Sequence, residues 1–386
     1  LLTSKLPDVG TSIFAVMTQL ATEHGAINLA QGFPDFNPPA ALTDALVRHA
    51  QGSQHQYAPM PGLPRLRELI AEKIARIYGV AAPDAGTDIT VCSGATEALF
   101  AVITAVVRPG DEVVVLEPAY DSYAPAIRLA GGRPVYVPLR LPDFRPDWDQ
   151  VRAALSPRTR LVMVNTPHNP TGAVWTAADW QQLAELLRGT ETLLLSDEVY
   201  EHMTFDGRPH RSALQHAELR ERAFVVSSFG KTYHATGWKV GYCVAPAALS
   251  AEVRRVHQFV TFAVSTPFQL AIADVLGDAG SYDYLPAFMQ QKRDLFGQLM
   301  QGTGFELLPS EGSYFQLARY QQLAPGGEAD VAFARRLTRE AGVAVVPVSP
   351  FYHDGTDHGL VRFCFAKQDD TLRAAAERLQ QFAARR

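Results

Sequence analysis

Ile89-Thr90-Val91-Cys92-Ser93-Gly94-Ala95-Thr96-Glu97 passes from a β-branched apolar run, through small residues, into the start of an amphipathic segment. The same pattern recurs from about Asp88 to Pro246. Short apolar runs at Ile89 to Cys92, Val113 to Leu116, Pro134 to Val137, Leu161 to Val164, Leu193 to Leu195 and Ala223 to Val226 predict strands. Helix-length amphipathic segments lie between most of them, among them Glu97 to Val107, Tyr123 to Ala130 and Ala177 to Leu187. The alternation predicts an α/β fold: a mainly parallel sheet flanked by helices, forming a large domain. Ligands of such sheets bind beyond the carboxyl ends of the strands, so the loops after the strands are where chemistry is expected.

Beyond Pro246 the pattern changes to longer helical stretches, Ala247 to Phe262, Phe268 to Gly277 and Ala287 to Met300, followed by a mixed region and a helix from Asp369. A smaller α/β domain is expected there. The turn-rich opening around Gly32-Phe33-Pro34-Asp35-Phe36-Asn37-Pro38-Pro39 is expected to pack against it. The division is therefore 41–280 for the large domain, with 1–40 and 281–386 forming a discontinuous small one.

The composition excludes several classes. A chain of 386 residues, 47% hydrophobic and 19% charged, buries a large core. Its net charge of −5 is spread without like-charge blocks, which argues against nucleic acid as a partner. The longest apolar runs are strand-sized, so no membrane partner is expected. Cys92, Cys243 and Cys364 have no paired spacing, which fits neither a disulfide framework nor a zinc site. Such cysteine usage points to a reducing compartment, and the expected location is cytoplasmic. His353 and His358 sit in a loop with Asp354 and Asp357, a spacing read as solvated surface, and no catalytic metal is expected.

Four loops and one apolar strand carry candidate chemistry. Ser93 to Glu97 joins a strand to a helix, a geometry that binds phosphate on backbone N–H groups; an ordinary turn capped by Ser93 or Thr96 fits the same residues. Ser227-Ser228-Phe229-Gly230-Lys231-Thr232 ends like a nucleotide-binding loop, but Val225 stands where that loop needs glycine, and no Gly-x-Gly-x-x-Gly occurs. Lys231 is then either a desolvated amine able to condense with a carbonyl or a surface lysine. Asp197 follows a buried-type strand and needs a cation or donors unless it caps a turn; Asp197 and Tyr200 share a site only if the strand ends near Asp197. Asn165-Thr166-Pro167-His168-Asn169-Pro170-Thr171-Gly172 is a proline-fixed loop in which an Asn amide can address a ligand oxygen, or else a rigid turn without chemistry. Arg362, inside Leu360-Val361-Arg362-Phe363-Cys364-Phe365, needs a carboxylate, from the protein or from a ligand.

In this order, these segments resemble the fold-type I pyridoxal-phosphate aminotransferases, in the group that contains methionine and kynurenine-oxoglutarate aminotransferases. The resemblance covers nearly the whole chain. It rests on Gln31 to Phe36, the Gly94 loop, Glu117-Pro118-Ala119-Tyr120-Asp121-Ser122-Tyr123, the Asn169-Pro170 loop, Asp197 to Tyr200, and Ser228 through Gly241. It implies that Lys231 holds the pyridoxal 5'-phosphate cofactor covalently and shuttles a proton, and that Asp197 pairs with the pyridine nitrogen. Asn169 and Tyr200 bond the ring's phenolic oxygen, while Tyr120 stacks on the ring. The phosphate sits on Gly94, Ala95 and Thr96 with Ser228 and Lys239, joined by Tyr57 of a second subunit.

For the substrate, the resemblance implies an Arg362 clamp on the α-carboxylate, helped by Asn169 and Gly32. Phe14 and Tyr57, with Phe262 from the neighbouring subunit, would form an aromatic wall suited to methionine, phenylalanine or tyrosine. Ala263 stands where some kynurenine-active relatives carry histidine. The expected activity is transamination between a neutral sulfur-containing or aromatic L-amino acid and a 2-oxo acid, by a homodimer with shared active sites. Cysteine-conjugate C–S β-lysis is the alternative within enzymes. A non-catalytic cofactor-binding regulatory module is the alternative outside them.

Overall fold

The computed structural model describes residues 3–385; residues 1–2 and 386, at the ends of the expected small domain, lie outside the described residues. Its largest sheet has seven strands, in the order Ile89–Cys92, Gly241–Val244, Ala223–Ser228, Leu193–Asp197, Thr159–Asn165, Glu112–Glu117 and Arg133–Pro138. Every pairing is parallel except the two made by Gly241–Val244, which runs antiparallel to both neighbours. Val113 and Val115 enter one core while Val114 and Leu116 enter another, so the sheet is covered on both faces. That double burial is why its strands read as unbroken apolar runs rather than alternating ones.

The six strands expected from the sequence are present, most of them extended by a residue or two. Gly241–Val244 was not anticipated: it is four residues long and opens on glycine. That glycine is required by close approach. A Cβ at Gly241 would lie 2.6 Å from the Ser227 carbonyl oxygen and 3.0 Å from the Ala95 nitrogen. The strand therefore presses the Ser227–Ser228 end of one loop against the Gly94–Ala95 turn of another.

Helix Ala177–Leu187 occupies the expected residues, closed by a capping box between Thr176 and Asp179. The helix expected from Glu97 begins earlier, at Gly94, and runs to Val106. The helices expected from Phe268 and Ala287 also begin earlier, at Thr266 and Leu285, because Pro267 and Pro286 occupy their first turns, where a missing N–H costs nothing.

Two smaller sheets lie outside this frame. Val346–Pro347, Leu360–Cys364, Phe315–Arg319 and Glu306–Leu307 form an antiparallel sheet, and Ile27–Asn28 pairs in parallel with Val343–Ala344. The opening segment is tied further to the C-terminal region: Lys367 Nζ donates to the Phe33 carbonyl (2.8 Å) and Thr371 Oγ1 to Asp35 (2.7 Å). No helix among the described residues is long and apolar enough to cross a membrane.

Candidate active site

The loops that follow the parallel strands surround a cavity of about 340 Å³. Strand Leu193–Asp197 ends on Asp197, which lets Tyr200 turn back to the same cavity. Strand Ala223–Ser228 ends on Ser228, and the short helix Phe229–Thr232 then presents Lys231. Gly94, Ala95 and Thr96 form the first turn of helix Gly94–Val106 and line the cavity with Tyr120, Asn169 and Lys239. Phe14, Gly32 and Arg362 close it from the other side.

The Gly94 end is built to hold an anion. Ser93 makes no capping bond with its side chain and Thr96 lies within the helix, so neither acts as the capping residue the sequence allowed. The helix N-terminus is directed at the cavity instead. Lys239 adopts a left-handed backbone (φ 54°), and its Nζ would lie 3.3 Å from a Cβ at Gly94. Only glycine at 94, itself at φ +75°, leaves that space open.

At the opposite end, Asp197 is buried, and its Oδ2 accepts a hydrogen bond from the Tyr123 hydroxyl (2.6 Å). Burial pushes its carboxyl up to about 6, against the lowering effect of Tyr123 and of the Val199 N–H. Asn165, at the end of the neighbouring strand, donates to the Asp197 carbonyl (2.9 Å) and accepts from the Asn169 N–H (2.8 Å), fixing both loops together. Burial pushes Tyr120 up to about 12, so it remains a neutral ring. Burial lowers the Lys231 amine to about 8. It is a desolvated amine rather than a surface lysine.

Arg362 is fully buried, and among the described residues it has no carboxylate partner, which removes the structural ion pair as an explanation. Its Nη1 donates to Asn169 Oδ1 (2.7 Å) and its Nη2 to the Ala30 carbonyl (2.8 Å), while Nε has no partner. The Phe315 ring lies 3.9 Å from the guanidinium carbon and the Phe14 ring 5.0 Å away. A buried guanidinium held by neutral groups awaits an anion.

Tyr57 and Phe262 are the two expected residues that this chain does not bring to the cavity. They pack edge to face, 5.1 Å apart, and are 82% and 50% exposed. Other residues at the cavity were given no role by the sequence reading: Gln31, Leu99, Val199, Thr236 and Phe315; Asn165, which opens the proline-fixed loop, also lines it. Tyr123, which meets Asp197, and Tyr314, which meets Lys231, were likewise given none.

Behind the site, Glu201 accepts hydrogen bonds from Lys73 Nζ (2.8 Å), Tyr242 (2.9 Å), Tyr78 (2.5 Å) and Ser227. Burial pushes this carboxyl up, but Lys73 and His202 outweigh burial and hold it below its usual range. The network pins the loop after Asp197 to Ser227 and Tyr242 of the adjoining strands. Glu117 is also buried and accepts from the His353 N–H (2.6 Å) and bonds its Nδ1 (2.9 Å). His353 is exposed, as the sequence reading expected, and also stacks on Tyr136 (4.2 Å, 7°). It joins the loop of Tyr120 to the segment before Arg362. A further trio, Cys92, Glu97 and His257, has potential ligand atoms within 4.8 Å of one another. Both ring nitrogens of His257 are already engaged, by Glu97 (3.0 Å) and the Met60 carbonyl (3.1 Å).

Comparison with known proteins shows where this arrangement recurs. The family described as aminotransferase class I and II matches residues 24–379. A methionine aminotransferase of Escherichia coli (strain K12) is 54% identical over 379 residues, covering 98% of this chain and 97% of that protein. A solved E. coli structure described as having a methionine aminotransferase function superimposes with a TM-score of 0.95 at 54% identity, covering 99% of both chains. A kynurenine–oxoglutarate transaminase of Dictyostelium discoideum is 34% identical, covering 96% of this chain and 94% of that protein.

Proposed function

The chain belongs to the class I and II aminotransferases, a pyridoxal-phosphate-dependent family, and within it we propose that this protein moves the amino group of a neutral sulfur-containing or aromatic L-amino acid, methionine foremost, to a 2-oxo acid. The observation that carries the substrate class is the cavity's charge. Arg362 is one cation suited to an α-carboxylate, Lys231 and Lys239 lie at the amine and anion positions, and Phe14 and Phe315 wall the remainder. Among the described residues, no second guanidinium lines the cavity to meet an acidic side chain. Methionine's polarizable thioether and aromatic rings suit such a wall.

The donor set fits the cofactor. Its phosphate suits the Gly94–Thr96 turn with Ser228 and Lys239, a cationic pyridine nitrogen suits the buried Asp197 carboxylate, and its aldehyde suits the Lys231 amine. When bound, pyridoxal phosphate supplies a carbonyl that condenses with amines and a ring that draws electrons from the substrate α-carbon. In our reading Asp197 keeps the ring nitrogen protonated, Tyr120 covers the ring face, and Asn169 and Tyr200 hydrogen-bond its phenolic oxygen. Arg362, with Asn169 and Gly32, fixes the α-carboxylate, which presents the α-hydrogen to Lys231. Lys231 Nζ takes that proton and returns it elsewhere, as a base lowered toward neutral pH by burial can.

Tyr57 and Phe262 enter this reading through a homodimer in which each copy lends them to its partner's cavity. The exposure of Tyr57 (82%), Phe259 (85%) and Phe262 (50%) supports such a surface. We place the protein in the cytoplasm, supported by its three buried free cysteines. We divide the chain into 41–280 as the large domain and 1–40 with 281–386 as the small one, which keeps the seven-stranded sheet in one unit and the two smaller sheets in the other.

Initial rates with a common 2-oxo acid acceptor test the substrate class. Methionine, phenylalanine and tyrosine are expected to exceed aspartate and glutamate by about tenfold or more in kcat/KM, the scale of burying an unmatched carboxylate. Equal or faster turnover of the acidic donors would contradict it.

Asp197 gives a pH test. Its folded carboxyl is raised to about 6, so its anion is destabilising above that point until a cation pairs with it. Below about pH 5 the group is neutral and offers a pyridinium nothing to pair with. Affinity for pyridoxal phosphate is therefore expected to rise about tenfold between about pH 5 and pH 7.5, following the ionised fraction. Asp197→Asn should weaken binding and lose this component, measured as the difference from the parent across the same range. An identical pH profile in the variant would contradict the assignment.

A further inference from the structure

The contacts of Lys231 are more specific than desolvation alone requires. Its Nζ donates to the Tyr314 hydroxyl (2.8 Å) and to the Gly32 carbonyl (3.2 Å). The Tyr314 hydroxyl itself donates to that Gly32 carbonyl (2.5 Å). A phenol has one proton, and here it is committed to Gly32, so toward Lys231 the tyrosine oxygen acts as an acceptor. An uncharged amine has two N–H groups and one lone pair. With both hydrogens drawn to the oxygens of Tyr314 and Gly32, the lone pair points away from them.

Tyr314 is held rigidly for this task. It is fully buried, edge-on to Tyr200 (5.1 Å) and Phe315 (4.8 Å). The preceding Ser313 takes a left-handed backbone (φ 62°) and is anchored by its N–H to the Met203 carbonyl (2.8 Å). That turn sends Tyr314 and Phe315 to adjacent functions, one at Lys231 and the other under Arg362.

We propose that Tyr314 is a positioning residue for proton transfer: its hydroxyl, with the Gly32 carbonyl, docks the Lys231 amine whenever that amine is not covalently engaged and turns its lone pair to the substrate α-carbon. This rests on the reading of Lys231 as the carrier amine. In the step served, the α-carbon–hydrogen bond breaks, an N–H bond forms at Nζ, and the electron pair stays with the substrate. The charged and titratable groups acting on Nζ are Asp197, Arg362, Lys239 and Cys364, with the rings of Tyr200 and Tyr314 beside it.

The test begins with borohydride reduction of the parent holoenzyme and peptide mapping; a label elsewhere than Lys231 overturns the carrier reading, and this proposal with it. With the label on Lys231, two readouts are taken on Tyr314→Phe. In cofactor-free protein, the rate at which added pyridoxal phosphate becomes attached is followed across pH. The parent's midpoint is expected near 8. The variant's is expected lower by about half a unit to one unit, because an acceptor of the ammonium N–H is gone. In the loaded enzyme, the half-reaction with methionine is expected to slow by about 10- to 100-fold, with a larger isotope effect from α-deuterated methionine and a concentration dependence unchanged within about twofold. An unchanged midpoint or an unchanged isotope effect overturns the proposal. Should Tyr314→Phe fail to fold, 4-fluorophenylalanine at 314 keeps the shape and replaces the hydroxyl with a far weaker acceptor that does not ionise. It should move both readouts in the same directions, and no movement overturns the proposal.

Discussion

Lys231→Ala is expected to abolish covalent attachment of pyridoxal phosphate and to lower turnover by about 10⁴-fold or more, because in the proposed function one amine serves as both carrier and base. The fold should survive. Lys231 contributes to a cavity rather than to either apolar core, and its removal leaves Tyr314 bonded to Gly32. The variant should still bind the cofactor through the Gly94 turn and Asp197, now reversibly and removable by dialysis. Small primary amines added to the solution should restore part of the proton transfer. A variant with parental turnover would sink the assignment of Lys231.

Arg362→Leu carries the next largest expectation. The guanidinium is buried without an anion and held by Asn169 and the Ala30 carbonyl, and in the proposed function a substrate carboxylate completes its surroundings. Removing one partner of a buried charge pair costs about 2–5 kcal/mol, a fall in kcat/KM of roughly 30- to 5000-fold. Arg362→Lys should recover little, since an ammonium cannot present two parallel N–H donors to a carboxylate. The diagnostic measurement compares methionine with 3-(methylthio)propylamine, the same molecule without its carboxylate. The parent's preference for methionine should nearly vanish in Arg362→Leu; a preference left intact would show that the carboxylate is read elsewhere.

The parts of this site that were legible in the sequence share a cause. Asp197, Asn169 and Lys231 each follow a buried parallel strand and the Gly94 turn follows a buried edge strand, and such strands announce themselves as short β-branched runs whose carboxyl ends collect ligands. Arg362 was visible as a charge inside an apolar run. What stayed hidden depends on contacts between distant segments. Tyr314 lies 83 residues from Lys231, in a Gly-Ser-Tyr-Phe turn whose pattern is that of ordinary core. Tyr123 was quoted within a motif, but a tyrosine opening a helix carries no sign that its hydroxyl reaches a carboxylate 74 residues away. Gly241–Val244 escaped because its glycine answers to the Ser227 carbonyl and the Ala95 nitrogen, neither of which is local. Tyr57 and Phe262 were singled out only by resemblance, and within one chain they face outward.

The most direct test of the account is a single half-reaction. Purified holoenzyme is mixed with L-methionine alone, the cofactor's visible absorption is recorded, and the 2-oxo acid formed is counted against subunits. Transamination at this site predicts loss of the parent band, about one equivalent of 4-methylthio-2-oxobutanoate per subunit from the stoichiometry of a single amino transfer, and return of the band when a 2-oxo acid is added. A visible band that methionine, phenylalanine and tyrosine all leave unchanged, with no oxo acid released, would contradict it.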